Sequence, residues 1–253
     1  MQVLVLQHIA CEPPGVYEDV LRERGANIHR VELDEHDPLP DWKRFEAIIA
    51  MGGPMSVNDD AKLPWLRDEK ALINEAVRAG VPFFGACLGA QLLAASLGGL
   101  VSQGKRPEVG LMPVFLTQDA GKDPLFSGVP RQMLTFQWHG DTFSLPPGSV
   151  LLASSRAYPH QAFRWGAHAY GVQFHLEVSQ DMVKNWLEVP EYARALDQVL
   201  GPGSQGTLVR QFAKYEKQLR ERGRLLFERW LDLAARPRPP SAATTRASVK
   251  LQT

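Results

Sequence analysis

Cysteine is scarce in this chain, net charge is absent and long apolar runs are missing. The 253 residues include two cysteines, Cys11 and Cys87. Two thiols cannot build a disulfide framework, and no Cys/His cluster has zinc-site spacing, so no metal is expected. Lys plus Arg number 28 and Asp plus Glu number 28, which gives a formal net charge of zero. That balance supplies no electrostatic reason for nucleic acid or a membrane surface as the main partner. No apolar run is long enough to span a bilayer, and the start MQVLVLQHIACEPPG lacks the basic region of a signal peptide. The expectation is a soluble cytoplasmic protein.

What is present reads as one large α/β domain or two small ones. Hydrophobic residues make up 44% and charged residues 22%, ordinary values for a globular chain that buries a core. In the first half, short apolar runs alternate with amphipathic stretches, as βαβ units do. Strands are expected at Val3 to Leu6, Asn27 to Val31 and Phe45 to Ala50, with another starting at Val81. Helices are expected from Val16 to Arg24 and from Trp65 to Arg78, each stopped by a glycine. From Leu100 to Gln173 turn residues separate short runs (VGLMPVFL, QMLTFQ, SVLLASS, HQAFRW, AYGVQF), which predicts strands and hairpins extending the sheet.

Two short helices are expected near Gln180 to Glu188 and Glu191 to Leu200. In Thr207 to Ala235, Leu208, Phe212, Tyr215, Leu219, Leu226, Trp230 and Leu233 fall on one helical stripe, with Gly223 a candidate kink. Such a helix packs on the domain or binds a partner. The segment 236–253 lacks apolar periodicity and is expected to be disordered. The divisions are therefore 1–200 for the main domain, 201–235 for a helical extension and 236–253 for a tail.

The chemistry concentrates in two segments. Phe84 to Gln91 contains Gly85-Ala86-Cys87-Leu88-Gly89 between an apolar strand and a helix. This is the thiol form of a nucleophile elbow, with small residues where the turn is tight. Cys87 would lie at a helix N-terminus, where the dipole favours thiolate, and the Leu88 N–H would point where an oxyanion forms. A cysteine attacking an amide needs a base that returns the proton to the leaving amine. His175 ends a predicted strand and Glu177 follows two residues later, placed to fix the imidazole tautomer. Read alone, that pair could equally be a strand-end histidine with a surface glutamate.

Together these segments resemble the class I, or triad, glutamine amidotransferases, above all the amidotransferase part of GMP synthetases and its stand-alone relatives. The resemblance runs over residues 1 to 200 and rests on four motifs. They are Ile49 to Pro54, Phe84 to Gln91, Gln137 to Asp141 and Gly171 to Glu177. It implies a flavodoxin-like α/β fold: a mostly parallel central sheet with helices on both faces, an elbow after a central strand, and extra antiparallel strands. It also implies Cys87 as nucleophile, His175 as base then acid, and Glu177 as orienter. Gly53 and Leu88 would form the oxyanion hole, and Gly52, Gln91, His139, Gly140 and Asp141 would bind substrate. No cofactor is then required for hydrolysis of glutamine or another γ-glutamyl amide.

Leu176 stands where the synthetase signature has proline. The sequence holds no phosphate loop of an ATP pyrophosphatase, so by resemblance it either feeds ammonia to a separate synthetase subunit or acts as a free-standing hydrolase. The hydrolase could be a γ-glutamyl peptidase. A third reading is a non-catalytic binding protein on the same fold. Glu108, in a loop after the elbow helix, is either a specificity residue or a solvated carboxylate.

Overall fold

The computed structural model describes residues 1–236. The expected disordered tail lies outside the described residues, apart from Arg236. Strand β1 (Gln2–Gln7) explains the architecture in miniature. Val3 and Val5 enter one apolar core while Leu4 and Leu6 enter a second, and all four are fully buried. A strand covered on both faces must be apolar at every position, which is why it reads as an unbroken run. Strands β3 (Ala47–Ala50) and β4 (Phe83–Ala86) are buried throughout for the same reason. Strand β2 (Asn27–Glu32) is polar and partly exposed because it forms the sheet edge.

The remaining strands are β5 (Val101–Leu116), β6 (Gln132–Phe143), β7 (Ser149–Ser154), β8 (Ala162–Trp165) and β9 (Ala169–Val172). One nine-stranded sheet takes the order β2-β1-β3-β4-β9-β8-β7-β5-β6. Pairing is parallel from β2 to β9 and antiparallel from β9 to β6. The sheet is therefore mixed, with a parallel core, rather than mostly parallel. It also curls: beyond β9, His175 forms an antiparallel bridge with Phe136 of the far strand β6.

Helices α1 (Val16–Glu23) and α6 (Gln205–Ala234) cover one face of the parallel core, and α2 (Trp65–Arg78) and α3 (Leu88–Ser96) cover the other. Helices α4 (Gln180–Trp186) and α5 (Pro190–Leu200) lie beside the antiparallel strands. Helix α6 buries Leu208, Phe212, Leu219, Leu226, Trp230 and Leu233, each worth about 1.5–3 kcal/mol of burial. Tyr215 leaves the expected stripe and is 42% exposed. Gly223 does not interrupt the helix. It is where α6 crosses the chain after β9: a Cβ there would lie 2.5 Å from the Leu176 carbonyl oxygen.

Candidate active site

The C-terminal ends of the parallel strands converge on one edge, as open α/β sheets arrange their ligand sites. The chain after β3 (Met51 to Pro54), Cys87 after β4 and Gln173 to Glu177 after β9 meet there. Cys87 adopts φ 51° and ψ −106°, a left-handed conformation for a residue with a side chain. Its N–H is tied to the Val172 carbonyl at 2.8 Å. The two flanking glycines have a steric cause. A Cβ on Gly85 would sit 2.4 Å from the Gly89 carbonyl, and one on Gly89 would sit 2.1 Å from the Ala50 oxygen. Strands β3 and β4 and helix α3 thus touch backbone to backbone, and this close approach forces the sulfur outward on a sharp turn.

His175 is fixed by its bridge to β6: its N–H donates to Phe136 O at 2.8 Å, and the Phe136 N–H donates back at 3.2 Å. Its Nδ1 lies 2.7 Å from Glu177 Oε1, with both side chains 1% exposed. The Leu176 N–H donates to Glu177 Oε2 at 2.9 Å. Proline at this position would have no such donor, so leucine adds a restraint on the carboxylate. Trp186 packs against the imidazole with ring centroids 4.7 Å apart. The Cys87 thiol donates to the Trp138 carbonyl oxygen at 3.8 Å, and His175 lies near enough for each group to act electrostatically on the other.

Burial alone would lower the His175 pKa, but Glu177 and then Cys87 raise it well above its ordinary value. Burial pushes the Cys87 thiol up, and His175 opposes this without cancelling it. Thiol and imidazole thus form one coupled pair, in which burial works against charge on both and Glu177 favours the proton on His175.

A cavity of about 280 Å³ opens over the sulfur. Gly53, Cys87, Gln91, His139, Gly140 and Asp141 all line it, alongside Trp138 and Tyr192. Among the described residues, neither the Gly53 nor the Leu88 N–H has an acceptor within the chain. Gly52 lies outside the lining. A Cβ on it would strike Glu12 Oε2 at 1.8 Å, so it is the back of the loop. Gln91 reaches the sulfur only through Gln173: Gln91 Nε2 donates to Gln173 Oε1 at 3.1 Å, and Gln173 Nε2 donates to Cys87 Sγ at 3.6 Å. His139 places Nδ1 2.8 Å from Asp141 O and Nε2 3.1 Å from Glu108 Oε2. Glu108 is buried and also accepts from Ser155 and Gln161, so it is not a solvated carboxylate.

Sequence reasoning missed Glu12, Gln173, Trp186 and Tyr192. Glu12 is buried between Gly52 and Tyr192, whose hydroxyl donates to it, and burial raises its pKa. Gln173 was visible inside a recognised motif. The other three reach the site only through tertiary packing and left no local signal.

Among the described residues no His, Cys, Asp and Glu group could hold a metal ion, and no helix is long and apolar enough to cross a membrane. The chain is 32% identical over 193 residues to the glutamine amidotransferase-like protein YfeJ of Salmonella typhimurium, covering 74% of this chain and 80% of that one. It is 34% identical to one subunit of the glutamine-hydrolysing GMP synthase of Saccharolobus solfataricus, over 65% of this chain and 86% of that one. A crystal structure of a glutamine amidotransferase from Thermotoga maritima superposes with a TM-score of 0.82 at 32% identity. That match covers 92% of this chain and 98% of the other. Residues 16–187 match the family described as glutamine amidotransferase class-I. With a cysteine elbow, a parallel core and relatives of this kind, the chain belongs to the class-I glutamine amidotransferases.

Proposed function

We propose that the chain is a cysteine amidohydrolase that cleaves the γ-glutamyl amide of glutamine to glutamate and ammonia. The observation that carries this reading is the line Cys87–His175–Glu177. A strained, outward-turned thiol faces an imidazole whose other nitrogen is locked by a carboxylate at 2.7 Å.

The geometry supports a two-stage reaction. His175 takes the thiol proton, and the Glu177 carboxylate stabilises the imidazolium that forms. The sulfur bonds to the amide carbon, and the charge gathering on oxygen meets the unpaired N–H groups of Gly53 and Leu88. Preorganised donors of this type are worth about 2.7–4 kcal/mol each in the transition state. Collapse breaks the C–N bond, His175 protonates the departing ammonia, and a glutamyl thioester remains. Water then attacks with His175 as base, glutamate leaves and the proton returns to sulfur.

The cavity suits a single amino acid, since about 280 Å³ falls at the low end of ligand sites. Its wall holds Asp59, Asp141 and Glu191 and no Lys or Arg, which favours the α-ammonium of a free γ-glutamyl group. The relationship to a GMP synthase component supports a separate synthetase chain as the ammonia acceptor.

The test is product release from purified protein offered glutamine, γ-glutamyl dipeptides and glutathione, with and without candidate synthetase subunits. Cys87-dependent ammonia from glutamine is the expected result. Faster cleavage of the peptides would replace it with a γ-glutamyl peptidase. Binding of glutamine without turnover under every condition would leave a non-catalytic protein.

A further inference from the structure

Behind the loop that carries Gly53 lies a completely buried pair, His8 and Glu69, which the mechanism above leaves without a role. His8 follows β1 and Glu69 belongs to α2. The His8 Nε2 is 2.9 Å from Glu69 Oε1, with both side chains 0% exposed. The His8 Nδ1 is 3.2 Å from the Gly52 carbonyl oxygen. A carbonyl oxygen only accepts, so Nδ1 carries the hydrogen, and a second proton lies between Nε2 and the carboxyl group. Trp65 stacks on the imidazole at 5.9 Å and holds its plane.

The orientation of one peptide follows from this contact. No peptide bond among the described residues is cis. In a trans peptide the C=O and the following N–H point in opposite directions. Drawing the Gly52 carbonyl towards His8 therefore turns the Gly53 N–H the other way, into the cavity that Gly53 lines. Two successive glycines put little steric barrier in the way of a peptide flip, so the orientation needs an external hold. A fully buried ion pair is weak evidence for added stability, because desolvation offsets its attraction. The contact with Gly52 gives the pair a reason beyond packing.

We propose that His8, oriented by Glu69, is a positioning residue that fixes the Gly52–Gly53 peptide and so aims the oxyanion donor. This rests on the amidohydrolase reading above. The experiment compares wild type, His8→Phe, His8→Gln and Glu69→Gln in the full chain by two rates. The first is kcat for glutamine. The second is alkylation of Cys87 by iodoacetamide, a displacement of iodide that builds no oxyanion. The ratio of hydrolysis to alkylation is read from initial rates on proteins whose folded fraction has been matched by circular dichroism, since an unfolded chain also alkylates.

The ratio should fall about 100-fold in His8→Phe, the cost of one lost oxyanion donor, with KM within about threefold of wild type. His8→Gln, whose side-chain amide can donate to the Gly52 oxygen, should restore it to within about tenfold. Glu69→Gln leaves the Nδ1 hydrogen in place and should cost less than about tenfold. An equal ratio in all four proteins would overturn the proposal, as would a loss in His8→Phe that His8→Gln does not repair. Wild type that alkylates at Cys87 yet hydrolyses nothing, with or without candidate synthetase subunits, would instead bring down the amidohydrolase reading, and the positioning role with it.

Discussion

The chain end after β9 and the β5–β6 hairpin each bury a histidine against a glutamate, and the two pairs differ in what is left over. His175 gives one nitrogen to Glu177 and turns the rest of its ring to the Cys87 thiol. His139 gives one nitrogen to Glu108 and the other to the Asp141 carbonyl, so neither is turned to the sulfur. The contacts are of similar length, at 2.7 and 3.1 Å, and the burial is alike. What separates the two pairs is thus an uncommitted nitrogen rather than the presence of a carboxylate. On the proposed reaction, the hairpin pair shapes the cavity wall and the strand-end pair moves protons.

Substitutions can break this comparison at several points. The largest effect is expected from Cys87→Ala, which should abolish glutamine hydrolysis measured as ammonia release. Cys87→Gly should be equally inactive yet melt about 2–4 °C higher, because glycine relieves roughly 1 kcal/mol of left-handed strain. Next comes Glu177→Gln, expected to lower kcat by about 10²- to 10⁴-fold. The sign of its pH effect follows from the electrostatics. The Glu177 carboxylate raises the His175 pKa, so its removal lets the imidazole lose its proton at lower pH. The acid limb of kcat/KM should therefore move to lower pH.

Glu108→Ala sharpens the contrast from the other side. It frees one nitrogen of His139 but leaves it without access to the sulfur. KM should rise about tenfold, with kcat within about threefold and the pH limb unmoved. If the limb moves, the division of labour between the two pairs fails. The smallest effect on chemistry is expected from Gly223→Ala, which presses a methyl group against the Leu176 backbone. Thermal or denaturant unfolding should show a loss of about 1–3 kcal/mol, and the pH profile of the remaining activity should be unchanged.

The two pairs also mark what could be read from the amino-acid sequence. His175 and Glu177 are two residues apart, so their partnership shows in the chain itself. Glu108 and His139 meet only through the register of β5 on β6, which has an irregularity between Gln103 and Glu108. That register has no local code, and Glu108 consequently looks like a loop residue. The beginning of β5 was hidden as well. The apolar run starts near Val109, but the strand begins at Val101 and passes through Gly104 and Pro107. Its pairing with β7 reaches only Phe115 and Leu116, so over most of its length β5 has β6 as its one neighbouring strand. A strand with one neighbour can spare the N–H that proline lacks. The parallel strands were legible because burial on both faces leaves an unbroken apolar signal, and the Cys87 elbow because backbone contact demands glycine. His8 and Glu12 lie in the connection after β1, Glu69 in α2 and Tyr192 in α5, and packing alone unites them.

The depth of Cys87 has a consequence for redox chemistry. Peroxide and disulfides react with thiolate, and at this sulfur burial works against that form while His175 works for it. The second thiol, Cys11, is pushed up to about 12 by its own burial. Burial thus disfavours the anion at both thiols of the chain, and at Cys87 a histidine opposes it. On the proposed reaction, the imidazole that readies Cys87 for a carbonyl also sets how readily an oxidant meets it as thiolate.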